Sequence, residues 1–210
     1  MQSNKLGEVV AFVRMGQQVY RAYNPTPYDP KTKKQLICRA KFKVVNDLAI
    51  AFSPVSAIGL ASVKKQGQLN HNVFFSVNYD TVTGTTPENL TVDFPNIVIA
   101  KGKALGVAFG EPVVVDNTLT IPFTPGTGYN ANGSDEVYVM AYCEDKREYA
   151  LRLALRAAES VHIPIPSNFT GKVHLYGFVR SSYAGYDEAT DIKIYNKGEC
   201  SDSDYIGFIV

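Results

Sequence analysis

The feature that most constrains this chain is a change of hydrophobic period near Thr91. Between Leu36 and Phe52, apolar residues recur at about every fourth position, as they do on one face of a helix. Beyond Thr91 the pattern changes to short apolar runs separated by turn residues, which is typical of strands. These runs lie at residues 97–100, 112–115, 119–123, 136–143, 149–155, 161–165, 172–180 and 205–210.

About seven or eight short strands is the number found in an immunoglobulin-like sandwich. We therefore predict an α+β to mainly β protein. Residues 1–92 form an N-terminal β-hairpin plus helices, and residues 93–210 form an antiparallel immunoglobulin/fibronectin-like β-sandwich. The 13 Tyr, 11 Phe, 16 Gly and 11 Pro residues favour sheets joined by many turns.

The N-terminal elements have recognisable boundaries. A hairpin is predicted over residues 8–23, with its turn at Met15-Gly16, and the proline-rich residues 24–30 then form a stiff connector. The spacing of Thr32 and Gln35 predicts a capping box at the start of a helix. Ser53-Pro54 ends that helix and begins another, since Ser is a good N-cap and Pro is tolerated in the first turn.

Two segments have sequences that are compatible with either a helix or a strand. Residues 70–82 have helical spacing, but their β-branched and aromatic content also suits a strand. Residues 147–158 contain alanines and leucines that suit a helix, and we interpret them as a strand.

The order of N-terminal motifs resembles an uncharacterised family of bacterial and bacteriophage proteins. That family has a Gly-x-Val-Val hairpin ending in Arg, then Asn-Pro-x-Thr-x-x-Gln-x-x-x-Arg-x-x-Phe. This chain departs from it in Asp29, where the family has Asn, and in lacking Trp in the hairpin. The resemblance implies a sandwich-like C-terminal half, no enzyme activity and a role in a virion. The matching residues are Gly7, Val9, Val10, Arg21, Asp29, Pro30, Thr32, Gln35, Arg39 and Phe42.

Charge is distributed unevenly along the chain. Residues 1–67 contain 11 Lys and Arg against 3 Asp and Glu, whereas residues 68–210 contain 10 against 17. Opposite charges steer association, so this asymmetry predicts either an anionic partner for the first part or head-to-tail docking between copies.

A cluster of cations near the start of the first helix is the candidate contact with an anionic partner. A run of charge is often only a solvated helix face, but acids are missing from this one. The partner is then either nucleic-acid phosphate or the acidic surface of a neighbouring subunit. The candidate residues are Lys31, Lys33, Lys34, Arg39, Lys41 and Lys43.

Two predicted strands, 136–143 and 172–180, carry large apolar side chains on both faces. The second face is either core beneath the N-terminal domain or a surface for a partner, and the sequence does not decide between them. Its residues are Tyr138, Met140, Tyr142, His174, Tyr176 and Phe178.

No catalytic, metal or cofactor site is predicted. The glycine-rich residues 126–133 lack the Gly-Lys-Ser/Thr ending of a phosphate-binding loop, and His71, His162 and His174 lie far apart in sequence. The acidic pairs Glu144-Asp145 and Asp187-Glu188 are interpreted as turn residues rather than as acid-base groups.

The longest apolar stretch, residues 48–63, is interrupted at Ser53-Pro54 and is too short to span a membrane. No signal peptide is recognised, and the odd set Cys38, Cys143 and Cys200 favours free thiols. The expected location is a virion or the bacterial cytoplasm.

The main functional hypothesis is a non-enzymatic structural or assembly subunit, of a bacteriophage virion, that contacts further copies or other structural proteins. An alternative is a nucleic-acid-associated protein that uses the basic helix at residues 31–43. A second alternative is a surface module that binds glycans or proteins.

Overall fold

The structure, a computed structural model, describes residues 3–14, 16–26, 28–126 and 128–210. The chain forms two compact units, Met1–Leu36 and Ile37–Val210. The predicted boundary near residue 92 does not coincide with this division. The reason is that the helices after Leu36 share a hydrophobic core with a sheet of the C-terminal half.

The first unit contains a three-stranded antiparallel meander of β1 (Ser3–Leu6), β2 (Val9–Arg14) and β3 (Gln17–Ala22). The predicted hairpin is confirmed as β2 and β3, and β1 is an additional strand. Gly16 follows β2 with φ +80°, a conformation that favours glycine in a tight turn. Met15 lies outside the described residues.

The capping box is confirmed. The Thr32 backbone N–H donates to Gln35 Oε1 at 3.2 Å, and the Gln35 N–H donates to Thr32 Oγ1 at 3.4 Å. The helix that follows, α1, spans Lys33–Ala51. Satisfying these amides fixes where the helix begins.

Two further helices belong to the second unit. Helix α2 (Ser53–Gly59) begins at the predicted Ser53-Pro54, directly after the fully buried Phe52. Helix α3 (Asn70–Asn78) shows that the ambiguous segment at residues 70–82 is mainly helical. No single described helix is long and apolar enough to cross a bilayer, and α1 and α2, which would qualify together, are bent by 78°.

Two antiparallel sheets form most of the second unit. Their strands are β6 (Ala108–Phe109), β7 (Val113–Val115), β8 (Thr118–Thr124), β9 (Glu136–Cys143), β10 (Glu148–Leu155), β11 (Ser160–Pro164), β12 (Val173–Arg180) and β15 (Asp204–Ile209). The four-stranded sheet has the order β10-β9-β12-β15. In the other sheet, which we call the β8 sheet, β11 lies on one side of β8, and β6 and β7 both lie on the other.

Two short hairpins complete the unit. Strands β4 (Val82–Thr83) and β5 (Thr91–Val92) form one, and β13 (Gly185–Tyr186) and β14 (Lys193–Tyr195) form the other. The segment at 147–158 is a strand over Glu148–Leu155, where β10 pairs along its whole length with β9, and ends in a short 3-10 turn at Arg156–Ala158.

The two central strands of the four-stranded sheet, β9 and β12, are buried on both faces. From β9, Val139 and Ala141 pack against the β8 sheet, whereas Met140 and Tyr142 pack against the helices. Successive side chains of a strand point to opposite faces, so each of these two strands supplies two cores. The result is three layers, with the helices on one face of the four-stranded sheet and the β8 sheet on the other.

The predicted strand at residues 97–100 is wrong. The side chain of Asn78 takes the place of a neighbouring strand: Val98 N–H donates to Asn78 Oδ1 at 2.7 Å, and Asn78 Nδ2 donates to the Val98 carbonyl at 2.9 Å. Ile99 N–H donates to Ser203 Oγ at 3.1 Å. Side chains therefore satisfy this buried backbone without a sheet ladder.

Candidate assembly interface

The first unit, which we call the N-terminal arm (residues 3–36), has almost no core of its own. Of its described side chains only Ala11 is buried, while Val13 is 51% and Tyr20 62% exposed. A small sheet needs a covered hydrophobic face to be stable in water. The arm therefore presents apolar side chains that suit burial against another surface.

The arm also has an open sheet edge. Strand β3 pairs with β2, and within the part of the chain that the structure describes no strand pairs with its other side. An open edge of this kind can accept or donate a strand in a complex.

Five of the six predicted cations are exposed in the structure, and the sixth, Lys41, contacts residues of the same chain. Lys33, Lys34 and Lys43 are exposed, as are Lys31 and Arg39. Lys41 instead binds within the chain: its Nζ lies 3.5 Å from Asp80 Oδ1 and 4.0 Å from the centre of the Tyr79 ring. Lys41 therefore connects α1 to residues 79–80, which follow α3, and is not available to an external partner in this conformation.

The first half of α1 is less buried than the predicted stripe requires. Leu36 is 40% exposed and Phe42 54%, whereas Leu48 and Phe52 are buried. Phe42 contacts Phe75 of α3 with their ring centres 4.7 Å apart. Exposed apolar and basic side chains thus occur together around the start of α1.

The predicted partner face is covered within the chain, so it is not an external surface. Phe52 lies 4.8 Å from Tyr142 and 5.6 Å from Tyr176 between ring centres. Tyr176 Oη donates to the Phe94 carbonyl at 2.8 Å. All six residues are at most 7% exposed; they are Tyr138, Met140, Tyr142, His174, Tyr176 and Phe178. These six side chains therefore belong to the core beneath the helices and do not form a surface for a partner.

An acidic groove opens beside this core, where two adjoining cavities of about 300 and 480 Å³ share Val92, Phe94 and Glu144. Arg147 on the rim lies 3.3 Å from Asp47, and Lys172 lies 5.3 Å from the centre of the Phe208 ring. The half-exposed Phe208 makes part of the wall apolar. Acids outnumber cations; the acids are Asp47, Asp93, Glu144 and Asp145.

His174 forms part of the wall of the acidic groove. Its ring stacks on Phe94 at 3.9 Å between centres, and its nitrogens lie 2.9 Å from Tyr205 Oη and 3.4 Å from Glu144 Oε2. Burial lowers the pKa of His174 from its ordinary value, an effect that Glu144 partly opposes and Lys172 reinforces. At neutral pH the imidazole of His174 is therefore uncharged in the folded protein.

Stability should consequently depend on pH through His174. Because the folded-state pKa lies below the ordinary value of about 6.5, the unfolded chain binds the proton first as the pH falls. Stability is therefore full above that value, decreases as the pH falls from it to the lowered pKa, and changes no further through this group. We expect His174→Gln to reduce this dependence in urea unfolding measured across that range. The matched control is His162→Gln, on an exposed histidine of β11, and an equal reduction in that variant would contradict the assignment.

The remaining residues considered for chemistry lie apart. His162 Nδ1 bonds Thr120 Oγ1 at 2.9 Å in the β8 sheet, and no group of three potential metal ligands occurs among the described residues. Asp187 accepts from the backbone N–H groups of Ala189 and Thr190, so it closes a turn as the sequence indicates. The hydrogen bond from the Thr190 hydroxyl, together with the backbone N–H bonds from Thr190 and Ala189, lowers the pKa of Asp187.

The sequence reasoning missed one buried ion pair. Arg156 Nε lies 3.1 Å from Asp135 Oδ2, with the two side chains 2% and 1% exposed. An arginine at the end of an apolar run and an aspartate before a strand give no sign that they meet. Only the pairing of β9 with β10 brings them together.

Comparison with known proteins finds a matching protein family. A family model described as "Family of unknown function (DUF6266)" matches residues 1–194. No curated protein and no solved structure matches the chain.

Proposed function

The chain belongs to the DUF6266 family, whose function is unknown, and we propose that it is a non-enzymatic assembly subunit. In this proposal the N-terminal arm of one copy binds the acidic groove of the next. The observation that carries it is the arm itself, a folded sheet in which Ala11 is the one buried side chain among those described. Such a sheet gains stability when a second surface covers it.

Charge favours another copy as the occupant of the groove. Residues 1–36 contain six Lys and Arg against two acids, whereas four acids surround the groove. Apolar side chains lie beside the charges on both surfaces, with Val13 and Tyr20 in the arm and Phe208 in the groove. Contacts between different surfaces of identical copies build rings or filaments, depending on whether the rotation closes.

We also propose that the two sheets form a fibronectin-like variant of the immunoglobulin fold. Support comes from the strand order. We assign β6 and β7 together as strand A, β8 as strand B and β11 as strand E. These three strands share one sheet, with B between A and E. The other sheet is C′-C-F-G, formed by β10, β9, β12 and β15 in that order. Sandwiches of this class divide their strands between two sheets in the same way.

A bacteriophage virion remains the assembly that we propose, in line with the N-terminal motifs from Gly7 to Phe42. Particles of this kind are built from many identical contacts, which one arm and one groove per chain would supply. The location that follows is the virion or, before assembly, the bacterial cytoplasm.

The proposal is tested by native mass measurement of the full chain at low and moderate salt. We expect a discrete oligomer, which Lys33→Glu combined with Lys34→Glu weakens by at least about tenfold in dissociation constant. The matched control, Lys64→Glu with Lys65→Glu, makes the same change of charge on exposed lysines outside the arm. A monomer at the highest attainable concentration in every buffer would overturn the proposal.

Complementary charge reversal locates the receiving surface. Asp93→Lys with Asp145→Lys reverses two exposed acids of the groove and should also prevent assembly. Mixing this variant with the arm variant Lys33→Glu/Lys34→Glu should restore a mixed oligomer, because a reversed arm then meets a reversed groove. If the mixture remains monomeric while the wild type assembles, the groove is not the partner of the arm.

The nucleic-acid alternative is favoured by the exposure of Lys33, Lys34 and Lys43. It predicts a complex that requires DNA and weakens steeply with salt, with a log-log slope near −0.9 per duplex phosphate contacted. The same measurement in the presence of duplex DNA separates the two functions. An oligomer that forms without DNA and resists moderate salt supports assembly.

A further inference from the structure

Several loops meet at one end of the two sheets. The register pairs Glu136 with Leu155 and with Arg180, so the start of β9 lies beside the ends of β10 and β12. The connections at residues 128–135 and 181–203 therefore emerge side by side. Their sequences, such as Gly128-Tyr-Asn-Ala-Asn-Gly-Ser134 and Ser181-Ser-Tyr-Ala-Gly185, are rich in Tyr, Ser, Asn and Gly. This is the composition of loops that bind ligands in antibody domains.

These loops are held in place by polar contacts. Arg156 donates to the carbonyls of Gly106 and Pro125 and pairs with Asp135. The other carboxylate oxygen of Asp135 accepts from the N–H and the hydroxyl of Ser182, each at 2.9 Å. One buried guanidinium and one buried carboxylate thus hold together the segments that contain Gly106, Pro125, Asp135, Arg156 and Ser182.

A pair of hydrogen bonds also joins the loop at residues 128–135 directly to the loop that begins at residue 181. Asn130 Nδ2 donates to the Tyr186 carbonyl at 2.9 Å, and the Tyr186 N–H donates to Asn130 Oδ1 at 3.1 Å. The two tyrosines beside these hydrogen bonds, Tyr129 and Tyr186, are 60% and 36% exposed. Exposed aromatic rings on braced loops lose little conformational freedom when a ligand binds.

The loops enclose an open cleft of about 380 Å³, within the size range of small-ligand sites. Tyr129, Tyr186 and Leu105 supply apolar surface, and Lys103 and Glu188 supply charge of opposite sign. Among the described residues, neither Lys103 nor Glu188 has an ion-pair partner. The cleft therefore combines aromatic faces with one cationic donor, Lys103, and one anionic acceptor, Glu188, and the two charges cancel.

We propose that this loop cleft binds a neutral carbohydrate. The C–H faces of a sugar ring pack on tyrosine rings, and its hydroxyls both donate and accept hydrogen bonds, as Glu188 and Lys103 require. Charge balance disfavours polyanions such as nucleic acids and sulfated glycans. The cleft is distinct from the arm and the groove, so this proposal does not depend on assembly.

The test measures binding of the full chain to immobilised chitotetraose, cellotetraose, maltotetraose and mannotetraose, with a heparin tetrasaccharide as the anionic comparison. We expect at least one neutral glycan to bind, and Tyr129→Ala and Tyr186→Ala each to weaken that binding by at least about tenfold. Tyr149→Ala is the matched control, because Tyr149 is a 37% exposed tyrosine on β10, outside the cleft.

Three results would overturn the proposal: no binding to any neutral glycan, stronger binding to heparin than to all of them, or binding that survives both tyrosine substitutions. Native mass measurement of the same variants keeps the two proposals separable. Loss of glycan binding with an unchanged oligomer places the effect in the cleft.

Discussion

Replacing Arg156 with Met is expected to lower the free energy of unfolding by about 3–5 kcal/mol, the usual cost of removing one partner from a buried ion pair. The variant leaves the Asp135 carboxylate buried without its guanidinium, and it also removes donors to the carbonyls of Gly106 and Pro125. Urea unfolding followed by circular dichroism measures the change. The effect should be among the largest of any single substitution in the chain.

The matched control for this prediction is Arg152→Met in β10. Arg152 is exposed and donates to the carbonyl of its neighbour Leu151, so its loss should change stability by no more than about 0.5 kcal/mol. The double variant Arg156→Met/Asp135→Asn should recover part of the loss, since it also removes the unpaired charge. Equal effects of Arg156→Met and Arg152→Met would mean that the buried pair contributes little.

Local features of the fold were predictable from the sequence because their causes are local. The Thr32–Gln35 capping box and the Ser53-Pro54 break depend on residues a few positions apart. The alternation in β9 and β12 likewise showed that both faces of these strands need cover. What covers the second face could not be predicted, since α1 and the residues around Phe94 reach it from distant parts of the chain.

The picture of polar contacts drawn from the sequence was incomplete for a related reason. Lys41 belonged to a run of cations in the sequence, but a partner 39 positions away, Asp80, removes it from that surface. Asn78 likewise supplies hydrogen bonds to Val98 that the strand pattern attributes to a sheet neighbour. The spacing of apolar residues along the sequence indicates which side chains are buried. It does not indicate which distant polar side chains will meet, because that depends on the three-dimensional fold.

Phe52→Ala is the second substitution with a large expected effect. Phe52 is fully buried between α1 and α2, and its ring contacts Phe74 of α3 as well as Tyr142 and Tyr176 of the four-stranded sheet. Truncating it leaves a cavity where the helices meet the sheet, and buried Phe→Ala changes cost about 3–5 kcal/mol. We expect the midpoint of urea unfolding to fall for helical and sheet signals together.

The helical and sheet signals should show unfolding at the same urea concentration, because the helices and the sheet share one core. Residues 37–210 form one compact unit, and nine of the 13 tyrosines lie beyond residue 92. Helical circular dichroism and tyrosine fluorescence should therefore follow the same transition before and after the substitution. Ile50→Ala is the control, because Ile50 lies two residues earlier, in α1, but is 63% exposed. If Phe52→Ala shifted the helical transition and left the tyrosine transition in place, the helices would be a separate domain. The boundary near residue 92 would then be the correct one.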